Sequence, residues 1–79
     1  MSIEEVYTEL TEVFEDVLDL EDLELKDETT AEDIEEWDSL NHVHLIVNIE
    51  KRFGIKFTSH EINAFKKVGD IVTSVLQKQ

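Results

Sequence analysis

Ile3, Val6, Tyr7, Leu10, Val13, Phe14, Val17 and Leu18 recur at steps of three and four residues. A helix with one buried face satisfies that period, so the chain opens on an amphipathic helix. Ser2, with Glu5 three positions later, forms a capping box at its start. No proline occurs, and Gly54 and Gly69 are the only glycines. With so few breakers the remainder is predicted to be helical as well. A chain of 79 residues holds one core, so 1–79 is read as a single domain.

From Asp19 to Asp38 the helical period disappears. Leu20, Leu23, Leu25, Ile34 and Trp37 are spaced along this acidic stretch as anchors. They predict a long connection laid across the bundle, with a short helical turn near Ala31 to Glu35. Connections of this length in small domains are uncommon and often functional. A second helix is predicted from about Ser39 to Phe53, ended by Gly54 in a left-handed conformation. Thr58 and Glu61 make another capping box, opening a short helix through roughly Phe65. Val68, Ile71, Val72, Val75 and Leu76 form the stripe of a last helix, which Gly69 is expected to weaken slightly. The expected fold is all-α: a small four-helix bundle of three main helices and one short one, with a long loop after the first.

Composition excludes several functions. Twenty acidic against seven basic residues give a formal net charge of −13. Such a surface repels the phosphates of nucleic acids and attracts basic patches on proteins. No cysteine is present, so neither disulfides nor a thiolate metal site can hold the fold. No apolar run reaches the length of a membrane span, and the acidic N-terminus is unlike a leader peptide. A monomeric, cytoplasmic protein is expected.

The second helix carries more apolar surface than a core needs. At about 100° per residue, Leu45, Ile46, Ile49 and Phe53 share one sector. Leu40, Val43 and Val47 form a separate stripe beginning beside Ser39. Either Trp37 and Ile34 cover this stripe, or it is a docking surface, with Leu40 free to pack inward in a mixed case. At the head of the helix stand Trp37-Asp38-Ser39-Leu40. A serine there has its hydroxyl in solvent at the positive end of the helix dipole, suited to an anionic attachment. Taken alone, Ser39 is better read as a simple N-cap, because serine at a helix start is common.

Other chemistries fit poorly. His42 or His44 could serve Ser39 as a base, but no nucleophile elbow or oxyanion hole accompanies them. Two residues apart on a helix, these histidines diverge too far to chelate one metal and are expected to face solvent or a partner. His60 falls in the first turn of the short helix. The carboxylates of Asp19 to Glu28 lack the central glycine of an EF-hand loop, so no dedicated metal site is expected. No residue is assigned a catalytic role.

Asp38-Ser39-Leu40 followed by Val43, Leu45, Ile46, Ile49-Glu50 and Phe53-Gly54 resembles the attachment motif of acyl carrier proteins. The resemblance covers nearly the whole chain, including the order of helices and the acidic loop. It implies that a phosphopantetheinyl transferase uses coenzyme A to place 4′-phosphopantetheine covalently on Ser39. It also implies that Asp38 helps place the magnesium of that reaction. The protein would then be a carrier and not an enzyme, holding acyl groups as thioesters for its partners. Those partners would be an acyl-loading ligase or acyltransferase, and a ketosynthase or other acyl-processing enzyme. Leu40, Val43 and Val47 are the expected apolar docking contacts, with Asp38 and Glu50 as polar ones.

Departures from the family pattern refine this expectation. Its recognition helix is usually acidic, whereas here Asn41, His44, Asn48 and Lys51-Arg52 occupy that helix. Trp37 before the aspartate is also unusual for primary fatty-acid carriers. A specialised carrier is therefore favoured, in polyketide, lipid-modification or polysaccharide-linked acyl transfer. A carrier of aminoacyl or peptidyl groups is the nearest alternative, and an acidic helical adaptor without a prosthetic group is the more distant one.

Overall fold

The computed structural model describes residues 2–78. Its elements are α1 (Ile3–Leu18), α2 (Ser39–Phe53), α3 (Ser59–Ala64) and α4 (Val68–Gln77). The all-α expectation holds, with the long connection between α1 and α2.

Helix α1 starts where its capping box predicts. Glu5 N donates to Ser2 Oγ, and Ser2 N to the Glu5 carboxylate, which lowers the Glu5 pKa. It stops at Asp19, which takes a left-handed conformation at φ 56°. A residue with a short polar side chain tolerates that region better than most. Val6, Leu10, Val13, Phe14 and Leu18 are buried. Ile3 departs from the predicted stripe and is 53% exposed.

The connection is anchored as its spacing suggests. Leu25, Ile34 and Trp37 join the core, while Leu20 and Leu23 pack against it. The predicted helical turn at Ala31 to Glu35 is absent as a helix. Two successive turns stand there instead: Asp33 N donates to Thr30 O and Trp37 N to Ile34 O. Thr30 N also donates to the Asp33 carboxylate, a local bond that competes with helix formation.

Gly69 has a packing role beside any weakening of α4. The connection lies against the start of α4, where Val68 N donates to Thr29 O and Gly69 N to Asp27 O at 2.9 Å. A Cβ on Gly69 would stand 1.9 Å from Asp27 Oδ1 and 3.0 Å from its carbonyl oxygen. The missing side chain allows loop and helix to approach.

At the core, Leu10, Phe14, Leu45, Ile49, Ile71 and Val75 lose all contact with solvent. Full burial of such side chains contributes roughly 1.5–3 kcal/mol each. Helix α3 differs from the others, because none of its residues is buried.

Candidate functional site

The N-terminus of α2 is set by Asp38. Its Oδ1 accepts from Asn41 N at 2.8 Å, and its carbonyl accepts from His42 N at 2.8 Å. Asn41 Nδ2 in turn donates to Glu36 O, fastening the connection to the helix. Asp38 is thus the N-cap, and Ser39 the first helical residue. The N-cap reading of Ser39 is corrected: its hydroxyl has no capping duty. Ser39 is exposed. The N–H groups of the first turn point out at the same end, as in any helix.

Trp37 fixes this corner to the core. It is 4% exposed and meets the Phe14 ring edge-on at 5.1 Å. A buried indole N–H needs an acceptor, and Nε1 finds His42 Nδ1 at 3.1 Å. On the far side of the imidazole, His42 Nε2 lies 3.3 Å from Ile62 O in α3. His42 therefore does not face solvent or a partner freely, as its spacing from His44 suggests. It bridges the connection, α2 and α3. The signal was present in the sequence as an acceptor five residues after a tryptophan, across the helix cap.

An open cleft of about 560 Å³ adjoins Ser39 between α2 and α3. Trp37, His42, Val43, Ile62 and Phe65 line it, and Asp38 and Lys66 are its charged side chains. The residues present fit an anionic tether in three ways. Ser39 offers an unobstructed hydroxyl, the helix dipole favours negative charge at this end, and Lys66 supplies a cation to the same cleft.

The second apolar stripe of α2 is uncovered. Leu40 is 69% exposed, Val43 57% and Val47 43%. Trp37 and Ile34 do not cover it, since both turn into the core. Leu40 does not pack inward either and is the most exposed of the three. Leu45, Ile46 and Ile49 form the buried face as the angular sectors predict.

Two polar residues of α2 have structural duties that sequence reasoning missed. Glu50 Oε2 accepts from Phe57 N at 2.8 Å, folding the α2–α3 loop back onto the helix. One oxygen of its carboxylate is therefore engaged, and the residue is partly exposed. Arg52 Nε donates to Glu9 at 2.7 Å, and its Nη2 meets Glu12, so the basic end of α2 is spent on α1. These two hydrogen bonds raise the Arg52 pKa, Glu9 first. Lys51 is the exposed cation left on the helix.

Comparison with known proteins agrees with this geometry. A family model described as a phosphopantetheine attachment site matches residues 8–75. The meromycolate extension acyl carrier protein of Mycobacterium leprae is 31% identical over 72 residues, covering 91% of this chain. The chain spans 63% of that relative's length. An acyl carrier protein of Acidothermus cellulolyticus is 32% identical, with 91% of this chain and 86% of the relative covered. Among solved structures, a holo acyl carrier protein from Geobacter metallireducens superposes with a TM-score of 0.85. It is 42% identical, over 91% of this chain and 83% of the other. A motif on an exposed serine, a bundle of matching form and a family match across most of the sequence converge: this chain belongs to the acyl carrier proteins, the family that bears covalent phosphopantetheine.

Proposed function

We propose that Ser39 is the attachment point, and that the chain delivers acyl groups to the enzymes of a specialised lipid, polyketide or related pathway. The observation that supports this most is the division of labour at the helix start. Asp38 takes the cap through Oδ1, and the adjacent hydroxyl stays exposed. A serine acting as the cap would have its oxygen occupied by a backbone N–H.

The attached arm supplies a terminal thiol, which holds an acyl group as a thioester and provides sulfur chemistry to a chain without cysteine. The protein's own residues present, orient and shield. Ser39 Oγ, losing its proton, would displace adenosine 3′,5′-bisphosphate from the diphosphate of coenzyme A and become the ester oxygen of a phosphodiester, whose charge the α2 dipole favours by about 0.3–1 kcal/mol. Lys66 lines the same cleft as a counter-charge, while Asp38 opposes the anion and would help hold the magnesium of the transferase reaction. Leu40, Val43 and Val47 give partners an apolar strip, ending near the Glu50 and Lys51 turn of the helix. Asn41, His44 and Asn48 in place of carboxylates favour partners less basic than those of a fatty-acid synthase.

Incubation with coenzyme A, magnesium and a broad-specificity phosphopantetheinyl transferase tests the reading. Intact mass should rise by one phosphopantetheine, and Ser39→Ala should abolish the gain. No gain under conditions that modify a control carrier would refute the assignment and leave an acidic adaptor.

A further inference from the structure

Seven basic residues stand against twenty acidic ones, and most of the cations are engaged within the chain. Arg52 meets Glu9 and Glu12, Lys67 meets Asp27, Lys78 meets Glu61, and Lys26 lies 4.0 Å from Glu24. Among the described residues, Lys51, Lys56 and Lys66 have no carboxylate within pairing distance. All three are exposed. Lys66 lines the cleft beside Ser39, and Lys51 and Lys56 line a second hollow at the far end of α2.

That hollow is open, about 360 Å³, with Val47 and Ile55 as its apolar walls and the two lysines at its rim. It continues the exposed strip of α2. At about 100° per residue, Lys51 falls within about 40° of Val47, so Val43, Val47 and Lys51 form one row. Among the lining residues Glu50 is the one carboxylate, and its Oε2 already accepts from Phe57 N. A cation in the last turn of a helix also complements the dipole, which accounts for Lys51 alone. Lys56 lies beyond Gly54, outside that turn. The strip therefore ends in positive charge on a molecule whose surface is otherwise acidic. Charges farther off are damped beyond about 8–10 Å at physiological salt, so the local sign governs docking.

We propose that Val43, Val47, Ile55, Lys51 and Lys56 dock a protein partner with an acidic rim: an apolar hollow for the valines, flanked by carboxylates for the two lysines. Complementary charge of this kind steers encounter and fixes register more than it adds affinity. A partner with a basic rim would meet both lysines as like charges. An anionic membrane would also attract lysines beside valines, but the net charge of −13 opposes it. One consequence rests on Ser39 as the attachment point. Twelve residues of helix separate Ser39 from Lys51, about 18 Å. The partner's carboxylates should stand about that far from the opening through which it receives the arm.

Two probes test the surface: a fatty-acid ketosynthase with a basic docking rim, and the same enzyme with glutamates on that rim about 18 Å from its substrate channel. Amide shifts of the unmodified chain would be titrated with each. The acidic-rimmed enzyme should bind about 10-fold tighter, shifting Val43, Val47, Lys51 and Ile55, and high salt should shrink the preference. Lys51→Glu/Lys56→Glu should reverse it. Lys26→Glu changes the net charge as much as Lys51→Glu does, but on the α1–α2 connection, and should keep it. Binding no tighter to the acidic rim, or a preference that survives the double substitution, would overturn the proposal. Capture by phosphatidylglycerol vesicles that requires both lysines would give the surface to a membrane and overturn it too. The titrations need no arm, so they stand apart from the mass gain at Ser39: either result can fail while the other holds.

Discussion

Helices α2 and α3 form the two walls of one cleft and are held by opposite means. Helix α2 buries Leu45, Ile46 and Ile49 against the bundle, so apolar packing welds it in place. Helix α3 has no fully buried residue: Ile62 packs half-buried against the core, and caps, one ion pair and the His42 contact fasten the rest. The wall bearing Ser39 is therefore fixed, while the wall across from it can move at little cost. Low-stability segments of this kind are where proteins place ligand-responsive motion. A carrier needs both: a constant surface for enzymes to recognise and an adjustable one beside the cargo.

The most drastic way to break this contrast is to remove packing from the fixed wall. Ile49→Ala should cost about 2–5 kcal/mol of global stability, read from denaturant midpoints, because a fully buried side chain leaves a cavity. On the same helix Val43→Ala should stay within about 0.5 kcal/mol, since that side chain is 57% exposed. Equal losses at the two positions would mean that the second stripe packs against something in solution and is not a free surface.

The fixed wall was legible from residue spacing, and the movable one was not. Period 3.6 separates Leu45, Ile46 and Ile49 from Leu40, Val43 and Val47, because burial follows angle around a helix. The short helix declared its start through Thr58 and Glu61, but how it is held against α2 depends on a long-range contact to His42. Periodicity carries no information about such contacts. The same limit hid Glu50 reaching Phe57 N and Arg52 reaching α1. It also hid Gly69, whose reason is the approach of Asp27 from 42 positions earlier in the chain. Ser39 stands out in the sequence because its neighbours form a motif; that Asp38 does the capping is visible only in the structure.

A gentler change sharpens the comparison at the movable wall. Thr58→Ala removes the hydroxyl that accepts Glu61 N at 3.1 Å, a cap worth about 1 kcal/mol. Exchange of the Ile62 amide, which bonds to Thr58 O, should quicken roughly five-fold. Amides of α2 should keep their protection, because the buried face does not depend on α3. Loss of protection in both helices alike would show that the walls open as one unit.

Acid gives the smallest effect, and its sign separates the two walls. The Glu61 carboxylate is held below its ordinary value of 4.5, first by the Thr58 N–H it accepts and then by Lys78. A carboxylate whose pKa is lower folded than unfolded stabilises the fold above the unfolded value, and that contribution is lost as pH falls through the folded one. Acidification through the folded Glu61 pKa should therefore loosen α3. The rest of the molecule should respond the other way at first. With a net charge of −13, neutralising carboxylates that lack partners relieves repulsion across the whole surface. Mild acid should thus hold or raise the melting temperature while Ile62 exchange, corrected for its intrinsic rate, becomes faster. Glu61→Gln removes the titrating group, so α3 should lose this acid step. A variant that retains the step would move its origin to another carboxylate, and the clasp at Lys78 would lose its place in holding this wall.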